Sequence, residues 1–280
     1  MPMESMNQLE TRSFTKTPDA CACPGAVKIV SWNINRGQLL KEVIEFLAET
    51  GADLVLLQEA DLYAQRTQYR NVAREIAQKL EMNYVFGYEF EELTQGRSGA
   101  PAYHGQATLS RFPLLHSRIL RFHHQSSFWH PRWFIPRTGF FQRRLGGRIA
   151  LISGLDLPER KLVVYNVHLE SRGGDELRWC QLAEILDDVS QYASQVEVVI
   201  AGDFNADLRL EPANSTFRKS GFCNPFACMS GLATTVPSRF SGSRTIDWIL
   251  TKGPLIASEP KLHDSIRASD HYPLSLMLRI

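Results

Sequence analysis

The sequence predicts a layered α/β fold with antiparallel parts. Three observations point to it. Apolar runs of strand length alternate with segments whose apolar residues recur at helical spacing. Several successive strand candidates are joined by too little chain for a crossover helix, so part of the sheet structure is antiparallel. Polar residues collect where apolar strands end, as a cleft over packed sheets requires.

Taken in order, residues 27–32 alternate and are β-branched, a strand. Residues 38–50 carry Leu39, Leu40, Val43, Ile44, Phe46 and Leu47 at helical spacing, and Gly51 is placed to end that helix. Residues 53–58 read as a buried strand. Residues 69–82 read as a second helix with Val72, Ile76 and Leu80 on one face. Strands follow around 84–88, 106–110, 148–152 and 162–167. The longest helix spans 175–192, with Trp179, Leu182, Ala183, Leu186 and Val189 inward. Asp175 and Glu176 sit at its start, where a helix N-terminus favours anions. Residues 196–201 form a central strand buried on both faces, and strands at 245–250 and 272–278 close the chain.

A chain of 280 residues can bury a large core without disulfides. With 44% hydrophobic and 22% charged residues it is neither a disordered chain, a collagen, a coiled coil nor a small disulfide scaffold. The net charge of +1 excludes a uniformly basic coat. The charge is nonetheless segregated: residues 93–155 contain nine Arg and no Asp or Glu, which leaves the rest acidic. The five cysteines form no regular framework, which suggests a reducing compartment, and their spacings do not match a zinc knuckle. No apolar leader and no run near the roughly 18 apolar residues of a membrane span is visible. A cytoplasmic location is the expectation. Residues 1–24, with Pro2, Pro18 and Pro24 and no periodicity, are expected to be a disordered tail, and residues 25–280 a single domain.

Five polar clusters sit at strand ends. They are Ser31-Trp32-Asn33-Ile34-Asn35-Arg36-Gly37, Gln58-Glu59, Asn166-Val167-His168-Leu169-Glu170-Ser171, Ala201-Gly202-Asp203-Phe204-Asn205-Ala206-Asp207, and a split pair, Ile246-Asp247-Trp248 with Ser269-Asp270-His271-Tyr272-Pro273. Any one of them reads as a turn, a helix cap or a satisfied histidine. Together and in this order they read as a site.

That set resembles the endonuclease/exonuclease/phosphatase superfamily, the deoxyribonuclease-like hydrolases, from about Val27 to Ile280. The Gly202–Asp207 stretch is similar to pancreatic-type deoxyribonuclease, and the Ser269–Pro273 ending is typical of the superfamily. His168-Leu169-Glu170-Ser171 resembles the tyrosyl-DNA phosphodiesterase branch and many members of unassigned substrate. The resemblance implies a four-layer α/β sandwich, two packed sheets flanked by helices, with substrate met at one edge. It also implies that Asp203 and Asn205 orient the attacking water and a phosphate oxygen, and that His168 is the second histidine of the deoxyribonuclease branch, bonding to developing charge or protonating the leaving group.

The chemistry of the residues agrees. Cleaving a phosphate ester needs neutralised phosphate oxygens, an activated in-line water and help for the leaving oxygen. Glu59 supplies a hard carboxylate, Asn33 an amide oxygen beside it and Asp270 a direct or water-mediated ligand, a set suited to Mg²⁺, with Mn²⁺ as the alternative. His271 is the candidate general base or the charged group facing phosphate, oriented by Asp247. Whether His271 or Asp203 removes the water's proton stays open. Asn35 stands where abasic-site endonucleases carry an acid, and His168 where they carry the catalytic tyrosine. Both argue against abasic-site repair.

Residues 118–148 interleave arginine with Phe122, Phe128, Trp129, Trp133, Phe134, Phe140 and Phe141. The segment reads as a substrate arm, with Arg132, Arg137, Arg143, Arg144 and Arg148, joined by Arg36, on phosphates and aromatics stacked on unpaired bases. It also reads as an aromatic hairpin in peripheral contact with a membrane, as in sphingomyelinase-like relatives, or as loop covering the sheet edge. The sequence therefore predicts a divalent-metal-dependent hydrolase of phosphodiester bonds in nucleic acid, an endo- or exonuclease or a DNA-end phosphodiesterase. The alternatives are a phospholipid or sphingomyelin phosphodiesterase or phosphoinositide phosphatase with the same site, and a non-catalytic binding module, which the completeness of the polar set disfavours. Oligomeric state is not legible.

Overall fold

A computed structural model describes residues 6–15, 25–129, 143–157, 160–193, 195–238 and 242–279. In chain order these form β1 (Leu9–Arg12), β2 (Ala26–Arg36), α1 (Leu40–Thr50), β3 (Leu54–Leu62), α2 (Val72–Leu80), β4 (Asn83–Glu92), β5 (Tyr103–Ser110), β6 (Leu114–Arg121), β7 (Arg144–Gly146), β8 (Ile149–Leu157), β9 (Arg160–His168), α3 (Asp175–Ser190), β10 (Glu197–Asp203), α4 (Ala213–Lys219), β11 (Phe222–Cys223), β12 (Asp247–Lys252), β13 (Ile256–Leu262) and β14 (Leu274–Arg279). One sheet runs β1-β4-β5-β3-β2-β14-β13, with β7 also paired to β4; the other runs β11-β12-β10-β9-β8-β6. Both are mixed: β2–β3 and β9–β10 are parallel, and their other neighbours are antiparallel.

Side-chain alternation sets the layers. In β2, Val27 and Ile29 join the core between the sheets, while Val30, Trp32 and Ile34 join the core under α1 and α2. In β3, Leu54 and Leu56 take the first side and Val55 and Leu57 the second. A sheet apolar on both faces has to be covered on both, and here helices cover one face and the second sheet the other. The second sheet is likewise backed by α3 and α4 through Leu182, Ile185, Val189 and Phe217. The four-layer sandwich follows. Among the described residues, no helix is long and apolar enough to cross a membrane.

Helix ends obey local chemistry. Gly51 adopts φ +64° and receives the end of α1 as its spacing predicts. The start of α2 lies three residues later than the apolar pattern suggests, because the Asn71 side chain accepts the Arg74 N–H at 3.0 Å and so fixes the cap. In α3, Ala183 is exposed rather than inward. The buried face is Gln181, Leu182, Ile185, Asp188 and Val189. Two polar residues belong to it because each has a buried partner: Gln181 accepts from the N–H of buried Glu170 and donates to the His124 carbonyl, and Asp188 accepts from the hydroxyl of buried Tyr165 and from Arg118.

The expectation of a structureless tail over 1–24 is corrected for residues 6–15. Leu9–Arg12 pairs antiparallel with Tyr84–Gly87 of β4. Glu10 accepts from Asn71 Nδ2 at 2.7 Å and from the Tyr84 hydroxyl, and Met6 is buried. Four residues are too few to show a period, so this strand is specified by its partners. Residues 1–5 and 16–24 lie outside the described residues. Two edge strands, β6 and β13, were also hidden from the pattern. Each carries a bulge and a residue at positive φ, His116 and Glu259, and β13 contains Pro260. These features protect sheet edges and blur alternation.

Candidate active site

Three adjacent strands of the second sheet end together. In register, Asp203 of β10 lies beside His168 of β9 on one side and Asp247 of β12 on the other. Gly202, at φ +146°, allows the close approach; a Cβ there would stand 1.9 Å from the Val167 carbonyl oxygen. The first sheet faces these ends with two bulges. β2 has an extra residue between Asn33 and Arg36, and β3 has one between Leu57 and Ala60. Glu59 sits in the second bulge at φ +54° and Asn35 in the first at φ +43°. A bulge re-aims a side chain, which is why Glu59 is a half-open site residue inside a strand that runs on to Leu62. The site between the sheets is partly polar as well: Asn166 donates to the carbonyls of Leu57 and Ala107 beside the β3 bulge and accepts from Gln58.

One oxygen, Asp203 Oδ2, is ringed by candidate groups. Asn33 Nδ2 donates to it at 3.1 Å, His168 Nε2 lies at 3.6 Å and His271 Nε2 at 3.8 Å. The other oxygen, Oδ1, accepts the Asn205 N–H at 2.9 Å, and Asn205 Nδ2 donates to the Leu169 carbonyl. Ser269 pins the last loop to β2 by donating to the Asn33 carbonyl at 2.7 Å, and Trp32 Nε1 donates to the His271 carbonyl at 2.8 Å. Asp203, Asp247 and His271 lie close enough together for one small ion to touch all three, but His271 Nδ1 is already held by both oxygens of Asp247 at 3.0 and 2.9 Å.

Burial opposes a charge on His271, yet Asp247 and Asp203, with Asp270 behind them, overcome it and push the imidazole up to about 10. His168 is held differently. Arg148 has only donors, so its Nη1, 2.8 Å from His168 Nδ1, makes that nitrogen an acceptor and leaves the ring proton on Nε2, facing Asp203. Glu89 completes this support. It lies 3.3 Å from Arg148 and accepts from Gln106; burial raises its carboxyl, and the positive charge beside it, that of Arg148 included, outweighs that, holding it down to about 2.

Desolvation also disfavours an ionised Glu59, but the positive charge around it, that of Arg36 and Arg148 included, holds the carboxyl well below the usual range. Among the described residues none donates a hydrogen bond to its oxygens, and the nearest bases, His104 and His168, stand 4.0 Å away. An ionised, partly open carboxylate without a donor, one residue past the register partner of Asn33, fits a hard divalent cation. Asn33 Oδ1 already accepts the Asn35 N–H and keeps a second lone pair. Asp270 is exposed next to Ser269 and His271.

The arginines divide. Arg148 is buried and spent on Glu89, His168 and Ser171. Arg144 pairs with Glu92 at 2.6 Å. Both are engaged with side chains that frame the site. Arg143 is exposed, and Arg36 donates to Asn35 at 2.6 Å. Arg132 and Arg137 lie outside the described residues, as does Trp133. Trp129 is buried, donating to Glu170 at 2.8 Å and packing on Phe90. Phe128 beside it is 48% exposed, with the Arg172 guanidinium 4.2 Å from its ring centre. Sequence reading missed Glu89, Asp61 and His104. The available signal was a charged or imidazole side chain inside otherwise apolar strands, which needs a buried partner.

A sequence profile of the Endonuclease/Exonuclease/phosphatase family matches residues 30–271. The chain belongs to the endonuclease/exonuclease/phosphatase family. Family membership carries the coarse reaction class, hydrolysis of phosphate esters. Solved structures of the family share the fold. An endonuclease/exonuclease/phosphatase from Bacteroides vulgatus aligns with TM-score 0.66 and 17% identity over 91% of this chain and 99% of that one. One from Beutenbergia cavernae gives 0.63 and 17%, over 91% and 72%. TDP2 of D. rerio, complexed with single strand DNA product, gives 0.61 and 20%, over 92% and 100%. A search of curated proteins finds no match.

Proposed function

We propose that this family member is a divalent-metal-dependent phosphodiesterase acting on nucleic acid. The observation that carries it is the crowding of Asn33, His168 and His271 around one oxygen of Asp203, with Glu59 ionised and undonated nearby. Asp203 holds the attacking water, its carboxylate fixed by the Asn205 N–H and the Asn33 amide so that the water's lone pair meets phosphorus in line. His271, backed by Asp247, presents Nε2–H to a non-bridging phosphate oxygen. His168, its tautomer fixed by Arg148, presents Nε2–H to the developing charge on the phosphate or leaving oxygen. Glu59 and Asn33, with Asp270 at the rim, would hold Mg²⁺ or Mn²⁺, which when bound supplies Lewis-acid neutralisation of the phosphate.

Phe128 and Arg172 favour nucleic acid as the substrate. An exposed aromatic ring under a guanidinium suits stacking on an unpaired base, and Trp129 ties this platform to Glu170, two residues beyond His168. The single strand DNA product in the D. rerio neighbour supports the same reading. The test is a panel of single- and double-stranded DNA, RNA, 5′-tyrosyl DNA, sphingomyelin, a phosphoinositide and bis(p-nitrophenyl) phosphate, each with Mg²⁺, Mn²⁺ or EDTA, beside Asp203→Ala protein. Metal-dependent cleavage of a nucleic acid, lost in the variant, is the expected result. Cleavage of lipid alone, or turnover in EDTA, would overturn the proposal.

A further inference from the structure

The cleft contains a second aspartate–histidine pair, on the first sheet, that the reaction outlined above does not use. His104 of β5 is fully buried, and its Nδ1 lies 3.0 Å from Asp61 Oδ1. Asp61 is gripped by both Nε and Nη2 of Arg66 at 2.7 Å, and Arg66 is braced by Glu92, which Arg144 also binds. A carboxylate held by a guanidinium fork is ionised and can only accept. The His104 proton on that side is therefore on Nδ1, and Nε2 carries the lone pair.

That Nε2 is buried and has no hydrogen-bond partner. It stands 4.0 Å from Glu59 Oε2. Buried polar atoms are almost always paired, and an exception calls for a missing water or ion. A hydrogen bond to Glu59 is ruled out as the pairing, because 4.0 Å is beyond its length. A lone pair and a carboxylate facing one another across that gap both seek a cation. Bonds of about 2.1 Å to each would let one ion touch both atoms. The rest of the arrangement is that of a metal-bound histidine, whose other ring N–H is donated to a carboxylate that fixes its tautomer.

We infer that His104 is a nitrogen ligand to the divalent cation held at Glu59, and that the site consequently prefers Mn²⁺ to Mg²⁺. The inference rests on the metal-dependent reading above. Imidazole nitrogen binds transition ions more readily than Mg²⁺, which is served by oxygen ligands alone. His104 thereby gives the site a selectivity that Glu59, Asn33 and Asp270 do not provide. Asp61 and Arg66 act through His104 as positioning residues.

The experiment is metal binding to the full chain without substrate, read by calorimetry with Mn²⁺ and Mg²⁺ and by electron spin echo modulation of the bound Mn²⁺. The wild-type complex is expected to show directly coupled imidazole nitrogen. His104→Gln should remove that coupling and weaken Mn²⁺ binding about 10- to 100-fold, with Mg²⁺ binding changed far less; Asp61→Asn should weaken Mn²⁺ binding by about tenfold or more. The coupling should survive in His168→Gln and His271→Gln. Those two variants decide the assignment by elimination if His104→Gln does not fold. Mn²⁺ bound with no nitrogen coupling, but lost in Glu59→Gln, would overturn the inference and leave the proposed function standing. Coupling that persists in folded His104→Gln would overturn it equally. No Mn²⁺ or Mg²⁺ binding to the wild type would overturn both.

Discussion

The two sheets present their histidines to the cleft in different ways. On the side of the second sheet, Asp247 faces His271 with no arginine bonded to it among the described residues, and its charge, with that of Asp203, goes into the imidazole. On the first sheet, Asp61 faces His104 but is shared with Arg66, a guanidinium that already matches its charge. Between them, His168 is backed by an arginine instead of a carboxylate. The same side chain is thus a held cation at His271, an Nε2–H donor at His168 and an Nε2 acceptor at His104. The difference lies in the groups behind each ring. It teaches that a histidine's role in a cleft is set by its buried partner, through tautomer and local field, more than by its exposure.

The largest expected effect separates the two walls. Asp203→Ala should lower kcat by about 10³-fold or more while leaving Mn²⁺ binding within about twofold, because Asp203 serves the water and phosphate. Glu59→Gln should lose metal binding and turnover together. Calorimetry and steady-state kinetics on both variants test this. If Asp203→Ala also abolished metal binding, the division of labour between the walls would be wrong.

Asp247→Asn removes the charge behind His271 and keeps the shape. It is expected to lower kcat by about 10²-fold, and to move the alkaline limb of the pH–kcat profile to lower pH, since His271 loses the carboxylate that raises it. An unmoved limb would show that His271 does not define it.

The first wall leans on β4, which carries Glu89 and Glu92 and pairs with β1. A chain beginning at Gly25 loses that strand and Glu10. We expect it to fold with Tm lowered by about 5 °C, equivalent to about 2 kcal/mol. An unchanged Tm in a thermal melt would make β1 an ornament of the sheet.

A further effect concerns stability against pH. The folded His271 pKa of about 10 is raised above the ordinary 6.5. Its contribution is therefore fully present below about pH 6.5 and is lost as pH rises toward 10. Denaturant unfolding between pH 6.5 and 10 should show up to about one proton of linkage that His271→Gln lacks. Equal slopes for the two proteins would mean that the Asp247–His271 pair carries no net charge coupling.

Much of this protein was legible from its residues. Continuous apolar runs at 53–58 and 196–201, the αL stop at Gly51 and the clusters at strand ends are local, and local chemistry specifies them. The resemblance carried by Gly202–Asp207 and Ser269–Pro273 gave the family and the sandwich, and the profile and fold comparisons agree. The edge strands β1, β6 and β13 were hidden, since bulges, charge and proline erase the period that signals a strand. Ala183 was misplaced because hydrophobicity alone ranks it above Gln181 and Asp188, whose hydrogen-bond partners lie 11 and 57 positions away in one case and 23 and 70 in the other.

The sequence by itself determined which side chains reach the end of each strand, because a strand's two-residue period and its turn residues are properties of a few neighbouring positions. Only the tertiary structure decided what each of them does there. Arg148 reads as a phosphate grip along the chain and becomes the support of His168 once Glu89, from a strand of the other sheet, stands against it. His104 stands out in no motif along the chain until Asp61 and the β3 bulge bring it to Glu59. Charge, tautomer and desolvation depend on what lies within a few ångströms, and those neighbours come from distant parts of the chain.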